Sequence, residues 1–198
     1  MKAYSGFKSE AFTGKVEPLP AGAYVAKIKA AKVDGVEPDQ WFTLRVDVAE
    51  GPYTGYFLNR YNKDKNSSRF EPRYKGDYRL RIPNDENKNA PYPESDIKNF
   101  NALVYCIEHS NPGYHWDWDD PNLVQGLTGK LVGINMQAGE YNGIPYTKIG
   151  RLEVADDVRK GIVKEMKPRP SRSDAYEPPV DQQTGFVKVE DKGDLPWF

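Results

Sequence analysis

Trp41-Phe42-Thr43-Leu44-Arg45-Val46-Asp47-Val48 is the stretch that decides the fold. Phe42, Leu44, Val46 and Val48 point one way from an extended chain, and Trp41, Thr43, Arg45 and Asp47 the other. A period of two held over this length predicts a strand with one buried face. The same pattern lies just upstream in Gly22 to Val33. There Tyr24, Ala26, Ile28 and Ala30 oppose Lys27 and Lys29, and the apolar side changes parity between Ala30 and Val33. A β-bulge would produce that change. Asp34-Gly35 through Pro38 separates the two strands as a turn or loop. Downstream, Gly51-Pro52 marks a turn, and Tyr56, Phe57, Leu58 and Tyr61 suggest a third strand over 54–61. Residues 62–75 are polar and read as a long loop. Tyr78, Leu80 and Ile82 then alternate with Arg79 and Arg81 as an extra strand.

One helix stands out: Ile97, Phe100, Leu103, Val104 and Ile107 recur at three- and four-residue intervals. Ser95 or Asp96 is placed to cap it, and Asn111-Pro112-Gly113 to stop it. Lys130–Gln137 and Ile144–Val154 flank Asn142-Gly143, a strong hairpin turn. Strands interrupted by one helix between the third and fourth give the order of an OB barrel. The expected fold is therefore mainly β: a five-stranded OB-like barrel with that helix, an extra strand or loop insertion, and a disordered C-terminal tail. Other small β-barrels share the pattern. Residues 164–198 contain five prolines (168, 170, 178, 179 and 196) and no apolar period, hence the tail. The expected organisation is a lead-in over 1–20, a domain over 21–163, a linker over 164–190 and a distinct tip over 191–198.

Composition bounds the function. The 198 residues hold 28 Lys and Arg against 29 Asp and Glu, a net charge of −1. The total hides segregation. Residues 173–198 carry two Lys and six acids, a net of −4, which leaves +3 on residues 1–172. One Cys and two His exclude a disulfide framework and argue against a Cys/His metal site. Mean hydropathy is −0.78; with no long apolar run or secretory leader, the expectation is a cytoplasmic protein that contacts no membrane.

The chemistry concentrates in the stretch Tyr53 to Arg81, and its charge between residues 60 and 81. Arg60, Lys63, Lys65, Arg69, Arg73, Lys75, Arg79 and Arg81 face only Asp64, Glu71 and Asp77, a local charge of +5. Tyr56, Tyr61, Phe70, Tyr74 and Tyr78 are interleaved with them. Phosphates need cations and unpaired bases need stacking platforms, so the mixture suits single-stranded nucleic acid. The alternative is a solvated charged loop with a few core tyrosines. Lys27, Lys29, Trp41 and Arg45 add a second cluster on the polar faces of the first two strands. A Trp opposite four aliphatics calls for a cover: another subunit, the 62–75 loop, or bases. Tyr141, Tyr146 and Lys148 supply a third group near the last hairpin.

The C-terminal residues Asp194-Leu195-Pro196-Trp197-Phe198 resemble the acidic-hydrophobic tip of bacterial single-stranded DNA-binding proteins. Trp197 is an insertion in that pattern, and its acids (Glu190, Asp191, Asp194) are diluted by Lys192. A terminal Phe offers a ring and a carboxylate together to a basic-rimmed pocket. Leu19 to Ile28, Glu50 to Gly55, Asn111 to Tyr114 and Trp116 to Asp119 resemble single-stranded DNA-binding proteins of phages and mobile elements of Gram-positive bacteria. The resemblance spans roughly residues 7–160. It implies an OB core in a bacterial host cytoplasm, with replication or recombination partners held by residues 194–198.

No nucleophile with an orienting base and acid is discernible, so no enzymatic activity is expected and no cofactor is implied. Gly126-Leu127-Thr128-Gly129-Lys130 lacks the spacing of a phosphate loop. Trp116-Asp117-Trp118-Asp119-Asp120 reads as a covering loop; a nuclease using its acids is a third class. The rival is a protein-interaction or virion-structural β-barrel that binds no DNA. Homo-oligomerisation is open under either reading.

Overall fold

A computed structural model of the chain describes residues 18–67, 71–87, 90–141 and 143–170. The elements are β1 (Gly22–Val36), β2 (Asp39–Val48), α1 (Tyr56–Ser67), β3 (Asp77–Arg81), α2 (Pro93–Ser110), α3 (Leu123–Gly126), β4 (Leu131–Tyr141), β5 (Ile144–Glu153) and α4 (Ala155–Lys160). The strands form one antiparallel sheet in the order β3-β2-β1-β4-β5. Within it, β3-β2-β1-β4 has the Greek-key order: β1 and β2 form a hairpin, β3 joins β2 after the connection that contains α1, and β4 returns beside β1. β3 and β5 are the two edges, so the expected barrel is not closed.

The bulge predicted from the parity change lies between Ile28 and Ala30. It keeps Ala26 and Ile28, then Ala31 and Val33, on the face shared with Val48, Val46, Leu44 and Phe42. A second register shift between Asn135 and Met136 serves β4 and β5 in the same way. The buried face carries Ile28, Phe42, Leu44, Val46, Val132, Ile134 and Met136. Against it lies α2, with Phe100, Leu103, Cys106 and Ile107. Neither Ser95 nor Asp96 caps α2; it starts from Tyr92 with Pro93 in its first turn, where a missing N–H costs nothing. Asn111 fastens its far end. Its amide donates to the Ile107 and Leu131 carbonyls at 2.7 and 2.8 Å and accepts from Leu131 N–H at 2.9 Å.

The strand expected over 54–61 is corrected, as is the first part of the loop expected over 62–75, while residues 71–75 are irregular as expected. Residues 56–67 form α1. Gly51 and Gly55 adopt φ of +83° and +75°, a left-handed backbone that interrupts extension. The first turn of α1 is capped from a distance: the Asp47 carboxylate accepts the Phe57 N–H at 2.9 Å and that of Val48 at 3.0 Å. Phe57 is then driven into the core at 2% exposure. Gly76 lets this corner close, since a Cβ there would collide with the Val46 carbonyl and the rings of Tyr74 and Phe57.

Chain beyond residue 163 also contacts the sheet. After α4, residues 162–170 lie along β4 and β5 as a strap. Asn135 and Arg151 donate to the Lys164 carbonyl at 3.0 and 2.9 Å. Gln137 donates to that of Lys167 at 2.9 Å, and Arg169 N–H to that of Ala138 at 2.8 Å. Residues 164–170 are thus hydrogen-bonded to the sheet while mostly exposed; periodicity missed them because such a strap is tied by its backbone. The tail and tip expected beyond, including Asp194 to Phe198, lie outside the described residues. Among the described residues, no helix is long and apolar enough to cross a membrane.

Candidate nucleic-acid interface

Cross-strand partners share a face, so the register assembles the outer side of the sheet. Trp41 pairs with Arg81, Thr43 with Arg79 and Arg45 with Asp77. Lys27 pairs with Asp47, and Lys32 with Thr43. Guanidinium carbons of Arg79 and Arg81 lie 4.5 and 4.9 Å from the Trp41 ring centroid. The cover that Trp41 requires therefore comes from β3 of its own sheet. Each such cation–π contact contributes about 0.5–1 kcal/mol at an exposed site.

The cations differ in how far they are neutralised. Arg45 forms a forked pair with Asp77 at 2.8 and 3.0 Å and sits 4.7 Å over the Tyr74 ring. Its charge is held firmly, the Asp77 hydrogen bond raising its pKa. Arg81 pairs with Asp39 and stands 3.7 Å from Asp96. Lys27, Lys29, Arg73, Lys75 and Arg79 are exposed and make no ion pair among the described residues. Around β1, β2 and β3 there is thus a field of uncompensated positive charge beside an aromatic ring.

The second group lies on α1. Arg60 donates to the Tyr56 hydroxyl at 3.2 Å and approaches Asp64 at 3.8 Å. Tyr61 is half-buried, its hydroxyl 3.4 Å from Glu71 and its ring 5.8 Å from that of Tyr74. Lys63 and Lys65 are on the exposed surface of the helix. Tyr74 itself is corrected. It is 7% exposed and donates to the Val46 carbonyl at 3.0 Å, so its ring is core and offers no platform to a base. Burial raises its pKa. Arg69 lies outside the described residues.

The third group stands apart, on the β4–β5 hairpin across the sheet from β3. Tyr141 is exposed, and Tyr146 packs over Gly139. Lys148 lies by the strap; burial, then the neighbouring Arg169 charge, lowers its pKa. The structure therefore brings Arg79 and Arg81 to Trp41, places Lys27 and Lys29 further along the sheet opposite the Arg45–Asp47 end of β2, sets α1 alongside through Arg45 and Tyr74, and leaves Tyr141, Tyr146 and Lys148 elsewhere. Tyr53 opens the stretch singled out in the sequence but is not among its candidate contact residues. It sits between Tyr24 and Tyr56 in an edge-to-face series at 5.7 and 6.4 Å; its place after Gly51-Pro52 was the only signal.

The acids of residues 117–120 serve their own loop: Asp117 accepts from Asp119 N–H and Asp120 from Asn122 N–H. Trp116 packs on Phe42 and Phe100, and Trp118 stacks on Phe100. Among the described residues, no group of three His, Cys, Asp or Glu side chains could hold a metal. No protein-family model matches the chain, and no curated protein matches it.

Proposed function

We propose that the chain is a sequence-tolerant single-stranded DNA-binding protein acting in replication or recombination. The observation that carries this is the outer face of β1, β2 and β3, where Trp41 lies under Arg79 and Arg81 amid cations without ion pairs. Phosphates would engage Lys27, Lys29, Arg73, Lys75 and Arg79, and bases would stack at Trp41 by exchanging with a guanidinium. The Greek-key sheet is in this reading an OB-type sheet left open, a fold that binds oligonucleotides on its central strands. Residues 194–198 would recruit replication or recombination proteins, as their resemblance to single-stranded DNA-binding tips implies.

The test is a salt-dependent titration with oligo(dT), read by Trp fluorescence. Five phosphates neutralised, each releasing about 0.7 of a counterion, give a log–log slope of about −3.5. Replacing Trp41 by Phe should remove most of the fluorescence change. No binding at low salt would end the proposal. The second reading, a protein-interaction domain, is favoured by Tyr141, Ile144 and Ile162 at 58%, 66% and 67% exposure. It predicts self-association or partner capture with no oligo(dT) shift.

A further inference from the structure

The sheet face does not end at β2. Trp41 stands near the start of that strand and Val48 at its end, seven residues away or about 23 Å. At the Val48 end the chain turns into α1, with Gly55 N–H donating to the Val48 carbonyl at 2.9 Å. Arg45 on Tyr74, and Tyr74 on Tyr61, link the two ends along the way.

A recess of about 310 Å³ opens at that far end, lined by Tyr53, Thr54, Tyr56, Arg60, Lys63 and the acid Asp64 among others. Its size is at the lower limit for small-ligand sites. The rings of Tyr53 and Tyr56 meet at 79°, so they form a corner in which one ring can face a flat ligand while the other meets its edge. Both rings are braced from behind, Tyr53 by Tyr24 and Tyr56 by Phe57, whose centroids lie 5.7 and 5.4 Å away. Their geometry is therefore set before any ligand arrives, which lowers the cost of binding. Arg60 and Lys63 are one turn apart on the same side of α1. Arg60 is held at the corner by the Tyr56 hydroxyl, and its pair with Asp64 is stretched to 3.8 Å. A corner of aromatic rings whose rim carries two cations against one acid, Asp64, keeps a net positive charge and matches a base joined to a phosphate.

We propose that this recess is a nucleotide subsite, stacking one base in the Tyr53–Tyr56 corner and holding the adjoining phosphate with Arg60 and Lys63. It rests on the single-strand reading above and extends that track from the sheet onto α1. The probe is thymidine 5′-monophosphate added to the full ¹⁵N-labelled chain, with thymidine and inorganic phosphate as separate arms. The monophosphate should shift the amides of Tyr53, Thr54 and Tyr56 saturably, while thymidine alone and phosphate alone move them far less. Arg60→Gln should weaken the monophosphate by roughly five-fold or more, since a charge-assisted bond is lost. Lys63→Gln, on exposed helix surface, gives the same reading if Arg60→Gln disturbs α1. Absent shifts, equal shifts with phosphate alone, or shifts unchanged in both variants would overturn the subsite. Oligo(dT) titrated into the same sample keeps the two readings apart: binding without recess shifts removes the subsite only, and no binding removes the parent proposal.

Discussion

Asp47→Ala tests the corner on which α1 depends. Asp47 is 4% exposed, and one carboxylate oxygen takes both the Val48 and Phe57 N–H groups. Alanine leaves two amides without that acceptor in a place water hardly reaches. Each buried donor left unpaired costs about 1–3 kcal/mol. Some relaxation of the 49–55 turn will recover part of this, so the expected loss is about 2–4 kcal/mol. Asp47→Asn keeps an oxygen at the same position and should cost about half as much. Urea denaturation followed by circular dichroism reads the global effect. Amide exchange at Phe57 reads the local one, and should accelerate in Asp47→Ala before the β1–β2 amides do. If Asp47→Ala unfolds within about 0.5 kcal/mol of the parent, the long-range cap is not what positions α1.

Further outcomes can be stated briefly. Arg79→Gln should weaken oligo(dT) and flatten its salt slope by about 0.7, the value of one phosphate contact; an unchanged slope would remove Arg79 from the interface. Deleting residues 191–198 should leave oligo(dT) affinity intact or higher while abolishing partner capture; lost DNA binding would sink that division of labour. Burial pushes the Cys106 thiol up to about 12, so its thiolate is scarce at pH 8 and a disulfide reagent should label the native chain far more slowly than the urea-unfolded one. Because that pKa is raised on folding, the group's stabilising contribution is whole below about pH 9 and is lost as pH climbs toward 12, visible as a falling urea midpoint that Cys106→Ala lessens.

The half-buried elements were legible because burial on one face writes a period into the sequence. β1 with its bulge, β2, β3, the last hairpin and α2 all carry that mark. α1 did not, because its determinants are remote or local to glycine: the cap comes from Asp47 on another strand, and Tyr56-Phe57-Leu58 reads as β-prone in isolation. α3 and α4 are too short for a period to develop. At the site, the excess of cations was visible in composition, but their neutralisation was not. Only the register sets Arg79 and Arg81 over Trp41, or Asp77 against Arg45. Aromatic count likewise says nothing of depth, which is why Tyr74 passed for a platform and Tyr53 was not among the candidates.

The strap has a consequence for whatever the chain carries beyond residue 170. By fastening 164–170 to Asn135, Gln137, Ala138 and Arg151, it moors the following segment at the β4–β5 edge. The sheet is five strands wide, and four spacings of about 4.8 Å put that edge up to ~19 Å from β3. The last described residues, 164–170, therefore lie on the hairpin side of the sheet, away from Trp41 and Arg79. If the β1–β3 face binds DNA as proposed, a strand lying on it and the chain leaving residue 170 would start from different sides of the sheet.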